Sequence, residues 1–385
     1  MINNIYVSHY VGLSGVGGVQ RNFIEYLDYA TKHDINIKHK VYTLGNVDKE
    51  YCPSNVKIKS IKSFFNFIIF IAEVISKNHI VHFYNNLISL KVATLLFLLP
   101  VHKLILHERG TIWNAPSSRG PLLRFVAWKS CLILVNSNAT RIMLEKKFYI
   151  FSEKIRVLHN GIDTTIKCTK KRIKRENLSP LRVGFIGRLD TPKGVHVLID
   201  AMRYLVDNNI ELVIAGDGAL KHVLKSQAEG INNISFIGRV ADPYIFLSSI
   251  DLLVVPSIRE PLGNVCIEAG LCRVPVLAAN VDGIPEIIKH KKTGELINAT
   301  EKISIDLPVG AIPIPEFVID STTKELCTPM QISPKLLARK ILELTTEPKK
   351  LECYANNLHD EVIDYFNINR YSAELHAIYR EIDIL

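Results

Sequence analysis

The sequence predicts an α/β protein of two domains, each a parallel sheet wrapped by helices, and three observations carry that expectation. A chain of 385 residues is too long for one ordinary core and suggests about two domains. Apolar strand-like runs alternate with helix-period stretches, the pattern of a parallel sheet covered by crossover helices. The alternation breaks at Lys167 to Asn177, a basic run with no apolar period, and then restarts.

The first domain (residues 1–165) opens on a strand at Ile2 to His9, a glycine-bearing loop from Tyr10 to Gly18, and a helix with Val19, Phe23 and Leu27 on its apolar face. Further strands are expected at 37–43, 79–84, 102–107 and 131–135, with helices at 64–77, 87–98 and 137–148. His159-Asn160-Gly161-Ile162-Asp163 reads as a turn closing the domain, and a basic linker (166–180) follows. The second domain (181–365) repeats the scheme with strands at 181–187, 210–215, 233–237, 252–255 and 275–278, each followed by a helix. Residues 298–332, rich in Pro and β-branched side chains, do not fit the alternation and read as an insertion or long loop. Helical periodicity returns at Pro334 to Glu347 and in an amphipathic run from Phe366 to Tyr379.

Composition narrows the class. With 48% apolar residues the chain can bury a sizeable core, and seven cysteines without a CxxC pair argue for reduced thiols over disulfides or zinc. Met1-Ile2-Asn3-Asn4-Ile5 runs straight into a strand, without the charged and apolar regions of a signal peptide, so a cytoplasmic location is expected. Charge is uneven: Met1 to Leu178 holds 26 Lys and Arg against 11 Asp and Glu, or +15, and the remainder 21 against 27, or −6. The basic half suits an anionic surface, either nucleic acid or an acidic membrane leaflet. The apolar segments 64–75 (FFNFIIFIAEVI) and 87–99 (LISLKVATLLFLL) are shorter than the ~18–20 residues of a membrane span. They read as sheet-covering helices, with the alternative that one rests an apolar face on a membrane beside Lys57, Lys59, Lys62 and Lys103.

The chemistry concentrates in the second domain. In Ser257 to Glu268 (SIREPLGNVCIE), Glu260 and Glu268 enclose seven residues between a strand ending at Val255 and a helix starting near Gly263. Ligands of open α/β sheets settle at the carboxyl ends of strands, where helix N-termini offer N–H groups to anions. Two acids placed there suit hydroxyls or a cation. After the strand 181–187, Arg188 and Lys193, in a turn shaped by Pro192 and Gly194, make a diphosphate clamp, since Arg offers a fork and Lys a mobile point charge. Ala215-Gly216-Asp217-Gly218 ends the next strand, where glycines let a ligand approach the backbone; a plain strand-to-helix turn explains it almost as well.

These pieces fall in the order of one family. Gly17-Gly18, HERG (107–110), NGID (160–163), GRLDTPKG (187–194), AGDG (215–218), PSIREPLGNVCIEAG (256–270) and the terminal FNINRYSAELHAIYREI run almost end to end. With them the chain resembles a retaining glycosyltransferase of the GT-B type, from the family with the Glu-seven residues-Glu motif (glycosyltransferase family 4, glycosyl transferases group 1). The resemblance implies two Rossmann-like domains facing across a cleft, with the last helix (about 366–385) crossing back to the first domain. It also implies transfer of a hexose or N-acetylhexosamine from a UDP- or GDP-linked donor to a saccharide or polyprenyl-linked acceptor. The setting it suggests is bacterial surface polysaccharide or lipopolysaccharide assembly.

Position by position, the resemblance has Arg188 and Lys193 neutralise the donor diphosphate, with Gly17 and Gly18 reaching it from the first domain. Glu268 takes the ribose hydroxyls and Glu260 sits beside the donor sugar, while the backbone of Pro261, Leu262, Gly263, Asn264 and Val265 contacts sugar and phosphate. His107 meets the sugar at the acceptor end and, with Glu260, is the catalytic candidate. Gly216, Arg239 and Val240 touch the base.

No Asp-x-Asp pair is placed to hold a divalent ion, so neither metal nor cofactor is expected. Fixed cations and helix N–H groups can stabilise a leaving diphosphate without one. Retention is reachable by double displacement through a carboxylate or by front-side substitution; no residue is forced into the nucleophile role, which favours the front-side route. Peripheral contact with an anionic membrane fits the basic first domain. Two other readings are a sugar-nucleotide epimerase, which fits the two-domain form but not the motif order, and a basic nucleic-acid binder. The latter would interleave aromatics with its charges, and 167–177 contains none, so no nucleic-acid partner is expected.

Overall fold

The computed structural model describes residues 4–15, 17–34, 36–48, 51–53, 55–168 and 180–384. The chain divides into two units, Met1–Asp163 with Phe366–Leu385, and Thr164–Tyr365. Most of the basic stretch 167–177 and of the linker expected at 166–180 lies outside the described residues.

In the first unit seven strands, β1 (Ile5–Tyr10), β2 (Ile37–Thr43), β3 (Ile58–Ser60), β4 (His79–Tyr84), β5 (Leu104–Glu108), β6 (Leu132–Val135) and β7 (Ile155–Val157), form one sheet. Its order is β3-β2-β1-β4-β5-β6-β7 and every pairing is parallel. The central strands are buried runs such as Leu132–Val135, as a sheet covered on both faces requires. The helices are α1 (Gly18–His33), α2 (Phe64–Val74), α3 (Leu90–Leu98), α4 (Gly120–Lys129) and α5 (Asn138–Phe148). α2 to α5 each join strands that step the same way across the sheet, so right-handed crossovers place all four on one face.

The second unit repeats the scheme with β8 (Leu181–Ile186), β9 (Ile210–Ala215), β10 (Ile234–Gly238), β11 (Leu252–Val255), β12 (Val276–Ala279) and β13 (Glu295–Ile297), all parallel in the order β10-β9-β8-β11-β12-β13. Its helices are α6 (Val195–Met202), α7 (Lys221–Gln227), α8 (Pro243–Ser248), α9 (Asn264–Leu271), α10 (Ile284–Ile287), α11 (Pro334–Thr345) and α12 (Pro348–Tyr365). The 298–332 segment is mostly irregular and carries a small antiparallel hairpin, β14 (Val318–Ile319) with β15 (Leu326–Cys327).

The chain finishes in the first unit as α13 (Ile368–Ile384), the expected returning helix. Ile368, Tyr371, Leu375, Ile378, Tyr379 and Ile382 recur at helical spacing and join the core around Val7, Tyr26 and Ile80. Polar links fix the register: Tyr379 Oη lies 2.7 Å from His82 Nδ1, and the Arg156 fork meets Glu381 at 2.8 and 2.9 Å.

Where elements differ from expectation, the reason is local. β3, β7 and β13 are three-residue outer strands without an apolar run, and edge strands are often short and charged. The seven cysteines are free thiols; Cys266 and Cys272 are buried, and Cys272 Sγ lies 2.6 Å from Cys168 Sγ. Among the described residues no helix is long and apolar enough to cross a membrane.

Candidate functional site

In the second sheet the strand order reverses between β8 and β11, so the turns leaving their carboxyl ends lie side by side. These are the turns that carry the sequence motifs. After β8 the chain runs through a 3-10 turn at Thr191–Lys193 into α6; after β11 it runs through Pro256–Gly263 into α9. The N–H groups of Ile258 and Arg259 donate to the Pro192 carbonyl at 2.9 and 3.2 Å, which ties the turns together. Gly194 makes the approach possible: its φ is +64°, and a Cβ there would stand 2.0 Å from the Pro256 oxygen.

The consequence is an ion pair across the turns. Lys193 Nζ lies 2.5 Å from Glu260 Oε2, which also accepts from Ser257 Oγ at 3.4 Å. Glu260 is 7% exposed, while Arg188, on the same turn as Lys193, is half-exposed and 3.7 Å from Asp190. Gly194 and Gly263 are the N-caps of α6 and α9, both in left-handed geometry, and neither supplies a side-chain cap. Two uncapped helix starts therefore lie at the edge that carries Arg188 and Lys193, an arrangement that attracts anions. Leu262 is buried, Pro261, Asn264 and Val265 are half-buried, and Glu268 is half-buried one turn into α9.

The neighbouring turns support this pair. A Cβ on Gly216 would lie 1.9 Å from the Gly187 oxygen, and one on Gly218 would lie 2.5 Å from the Leu189 oxygen. Leu189 N–H donates to Asp217 O, and Leu220 N–H to Leu189 O, both at 2.9 Å. The AGDG turn thus braces the segment bearing Arg188. Gly216 N–H donates to Gly238 O at 2.7 Å, which sets exposed Arg239 and half-buried Val240 next to that turn.

Two residues of this site escaped the sequence analysis. Arg259 is 6% exposed, and burial pulls its guanidinium below its ordinary pKa while Asp282 and Glu260 hold it up. Asp282 Oδ2 accepts from Glu260 N–H at 2.9 Å, and its Oδ1 from Ile319 N–H at 2.7 Å. Burial pushes its carboxyl up to about 7. Through this residue the β14 hairpin of the inserted segment holds the Glu260 turn. Gln331, from the same segment, lies 2.9 Å from His196 of α6. The available signal was an Asp-Gly pair three residues beyond β12, at the same sheet edge.

In the first unit, Gly17 is the N-cap of α1 and Gly18 its first residue; the first turn has neither a side-chain cap nor an acid. His107 is the penultimate residue of β5, at 1% exposure. Burial, and then the charge of Arg109, hold its ring well below the usual histidine pKa, so it is neutral near pH 7. Gly17, Gly18 and His107 lie in one unit and the Arg188, Lys193, Glu260 and Glu268 group in the other. Among the described residues no cluster of three His, Cys, Asp or Glu is arranged to hold a metal ion.

Residues 167–306, which include both motif-bearing turns, match the family model described as glycosyl transferases group 1. That segment belongs to this family. Relatives found by sequence carry glycosyltransferase names. Over 246 residues the chain is 25% identical to the uncharacterized glycosyltransferase MJ1607 of Methanocaldococcus jannaschii, covering 59% of this chain and 63% of that one. Over 121 residues it is 30% identical to the capsular polysaccharide biosynthesis glycosyltransferase CapM of Staphylococcus aureus, covering 30% and 32%. In both cases the match spans less than two thirds of the relative's length. By fold the chain matches the crystal structure of Anabaena HepE in complex with UDP and glucose with a TM-score of 0.73 at 19% identity, over 98% of this chain and 100% of that one. The two parallel-sheet α/β units are those of the GT-B fold.

Proposed function

We propose that the chain is a retaining glycosyltransferase that moves a hexose or N-acetylhexosamine from a UDP- or GDP-linked donor to a saccharide or lipid-linked saccharide, in surface polysaccharide assembly. The observation that carries the reading is the Lys193–Glu260 pair at the β8/β11 switch point, between two uncapped helix starts. Lys193 and Arg188 take the diphosphate, and Lys193 keeps donors free for it because an ammonium has three. As the glycosidic bond breaks, charge grows on the leaving diphosphate, and cations and N–H groups already in place stabilise it without reorganising. Glu268 takes the ribose and Glu260 the sugar hydroxyls. Substitution runs from the front side, with a diphosphate oxygen helping to deprotonate the acceptor; trapping a covalent glycosyl-Glu260 species would overturn that route. HepE was solved with UDP and glucose, and CapM is named for capsular polysaccharide biosynthesis; both support the donor class and setting proposed.

The test is a split in kinetics. Glu268→Gln should raise the donor KM with little change in kcat, and Glu260→Gln should lower kcat with little change in KM. Equal losses of affinity from both would refute the division of roles.

Membrane contact belongs to the same reading. On the face formed by α2 to α5, Phe64 and Phe65 of α2, Leu90, Phe97 and Leu98 of α3, and Trp128 of α4 are each more than 60% exposed. Between residues 56 and 154 there are 14 Lys and Arg against four Asp and Glu. Exposed aromatics among cations suit an anionic leaflet. Flotation with phosphatidylglycerol vesicles at low salt should carry the protein, and its absence from the floated fraction would remove this part of the reading.

A further inference from the structure

Arg109 is a buried cation whose hydrogen-bond partners among the described residues are all neutral. It sits on the turn after β5 at 6% exposure. One terminal nitrogen donates to Tyr371 Oη at 2.7 Å, Nε donates to His107 Nε2 at 3.3 Å, and the guanidinium lies 5.8 and 5.7 Å from the Tyr84 and Tyr371 ring centres. The adjacent carboxylate, Glu108, is engaged elsewhere: it accepts from the N–H groups of Gly110, Thr111 and Ile112 and from the Thr111 hydroxyl. Among the described residues the other terminal nitrogen, Nη1, has no hydrogen-bond partner. Burying a guanidinium without a counter-charge and leaving one of its donors unmade are both costly.

The neighbouring ring has the same deficit. An arginine Nε–H can only donate, so His107 Nε2 must accept, and a neutral imidazole then carries its proton on Nδ1. Among the described residues that buried Nδ1–H has no partner either. Stacking on His82 at 5.3 Å and on Tyr84 at 5.2 Å fixes the ring. Asn85 Oδ1 accepts the Arg109 backbone N–H at 2.8 Å and fixes the turn. Two contacting side chains, one cationic, therefore each hold an unused N–H donor at the carboxyl edge of β5, the edge where open α/β sheets bind ligands.

We infer that Arg109 and His107 form an oxyanion-binding pair that takes a phosphate group of a substrate. A phosphate supplies both the missing counter-charge and two acceptor oxygens, and arginine is the side chain best matched to it. The inference rests on the glycosyl-transfer reading only in taking substrates to carry phosphate. That phosphate is either the donor's diphosphate or one on a lipid-linked acceptor.

Calorimetric titration of the full chain with UDP and with geranyl diphosphate separates the two sources. Arg109→Lys, which keeps the charge but loses the fork, should weaken one of them roughly ten- to hundred-fold. Weakening of UDP identifies the donor's diphosphate, and weakening of geranyl diphosphate identifies the acceptor's; either supports the pair. Should Arg109→Lys not fold, the wild type labelled with 15N-histidine decides: the His107 Nδ1 resonance, assigned with His107→Gln, should move on titration with whichever probe binds. Binding with no movement of that resonance and no change in Arg109→Lys would overturn the pair while leaving the glycosyl-transfer reading intact. Failure of the wild type to bind either probe, or GDP titrated in the same way, would overturn both.

Discussion

Asp282→Asn isolates the contact by which the inserted hairpin holds the Glu260 turn. The native carboxyl accepts two backbone N–H groups, from Glu260 at 2.9 Å and Ile319 at 2.7 Å, whereas asparagine has one acceptor oxygen and must turn its amide NH2 towards the other donor. A buried N–H left unmade costs about 1–3 kcal/mol. Asparagine accommodates the local φ of +47° as readily as aspartate, so backbone strain should not contribute. The variant also removes a titration. Burial raises the native Asp282 carboxyl to about 7, against about 3.9 for an unfolded aspartate. Between these values the native state holds a proton that the unfolded chain has released, so wild-type stability falls as pH rises, by up to about 1.4 kcal/mol per unit, and levels above about pH 7. The deficit of Asp282→Asn relative to wild type should therefore be largest near pH 5 and narrow by roughly 2–3 kcal/mol towards pH 8. Both tryptophans, Trp113 and Trp128, lie in the first unit, so urea unfolding at pH 5, 6, 7 and 8 is best followed by far-ultraviolet circular dichroism. A deficit that stays constant or widens as pH rises would refute the reasoning.

Gly194→Ala and Gly230→Ala compare two left-handed glycines, one where an added Cβ would stand 2.0 Å from a carbonyl oxygen and one where it would meet nothing within 4 Å. Each carries the backbone penalty of about 1–2 kcal/mol, and only Gly194→Ala should add a further loss from displaced turns; equal unfolding midpoints would mean that the turns are not in tight contact. Acid should act on the first unit through His9, His39, His82, His107 and His376, all lowered chiefly by burial, His39 to about 3. The unfolded chain takes up protons below about 6.5 and the native unit does not, so its stability is complete above that pH and lost as pH falls. Fluorescence of buried Trp113 should report an urea midpoint that drops between pH 7 and 5, and an unchanged midpoint would count against a neutral histidine core.

Much of the fold was legible because its signal is the apolar run. Leu132–Val135 and Leu252–Val255 are buried on both faces and read as strands directly. Ile58–Ser60 and Glu295–Ile297 are outer strands recruited by pairing with a neighbour, and three residues leave no periodicity to read. At the site, Arg188, Lys193 and Glu260 were visible because glycine and proline mark the turns that bear them. Asp282 and Arg259 were not, since their roles come from contacts with residues distant in sequence. The inserted segment read only as an insertion or long loop for the same reason: Ile319 meets Asp282 37 positions away.

Binding of a nucleoside diphosphate through Lys193 at the β8/β11 edge of the second unit is open to a direct measurement. Calorimetric titration of the wild type and of Lys193→Met with UDP and with GDP should show binding of at least one nucleotide to the wild type. In the variant that affinity should fall roughly ten- to hundred-fold, as expected for a lost charge-assisted hydrogen bond to phosphate. Equal affinity for the nucleotide in a folded Lys193→Met would contradict the account.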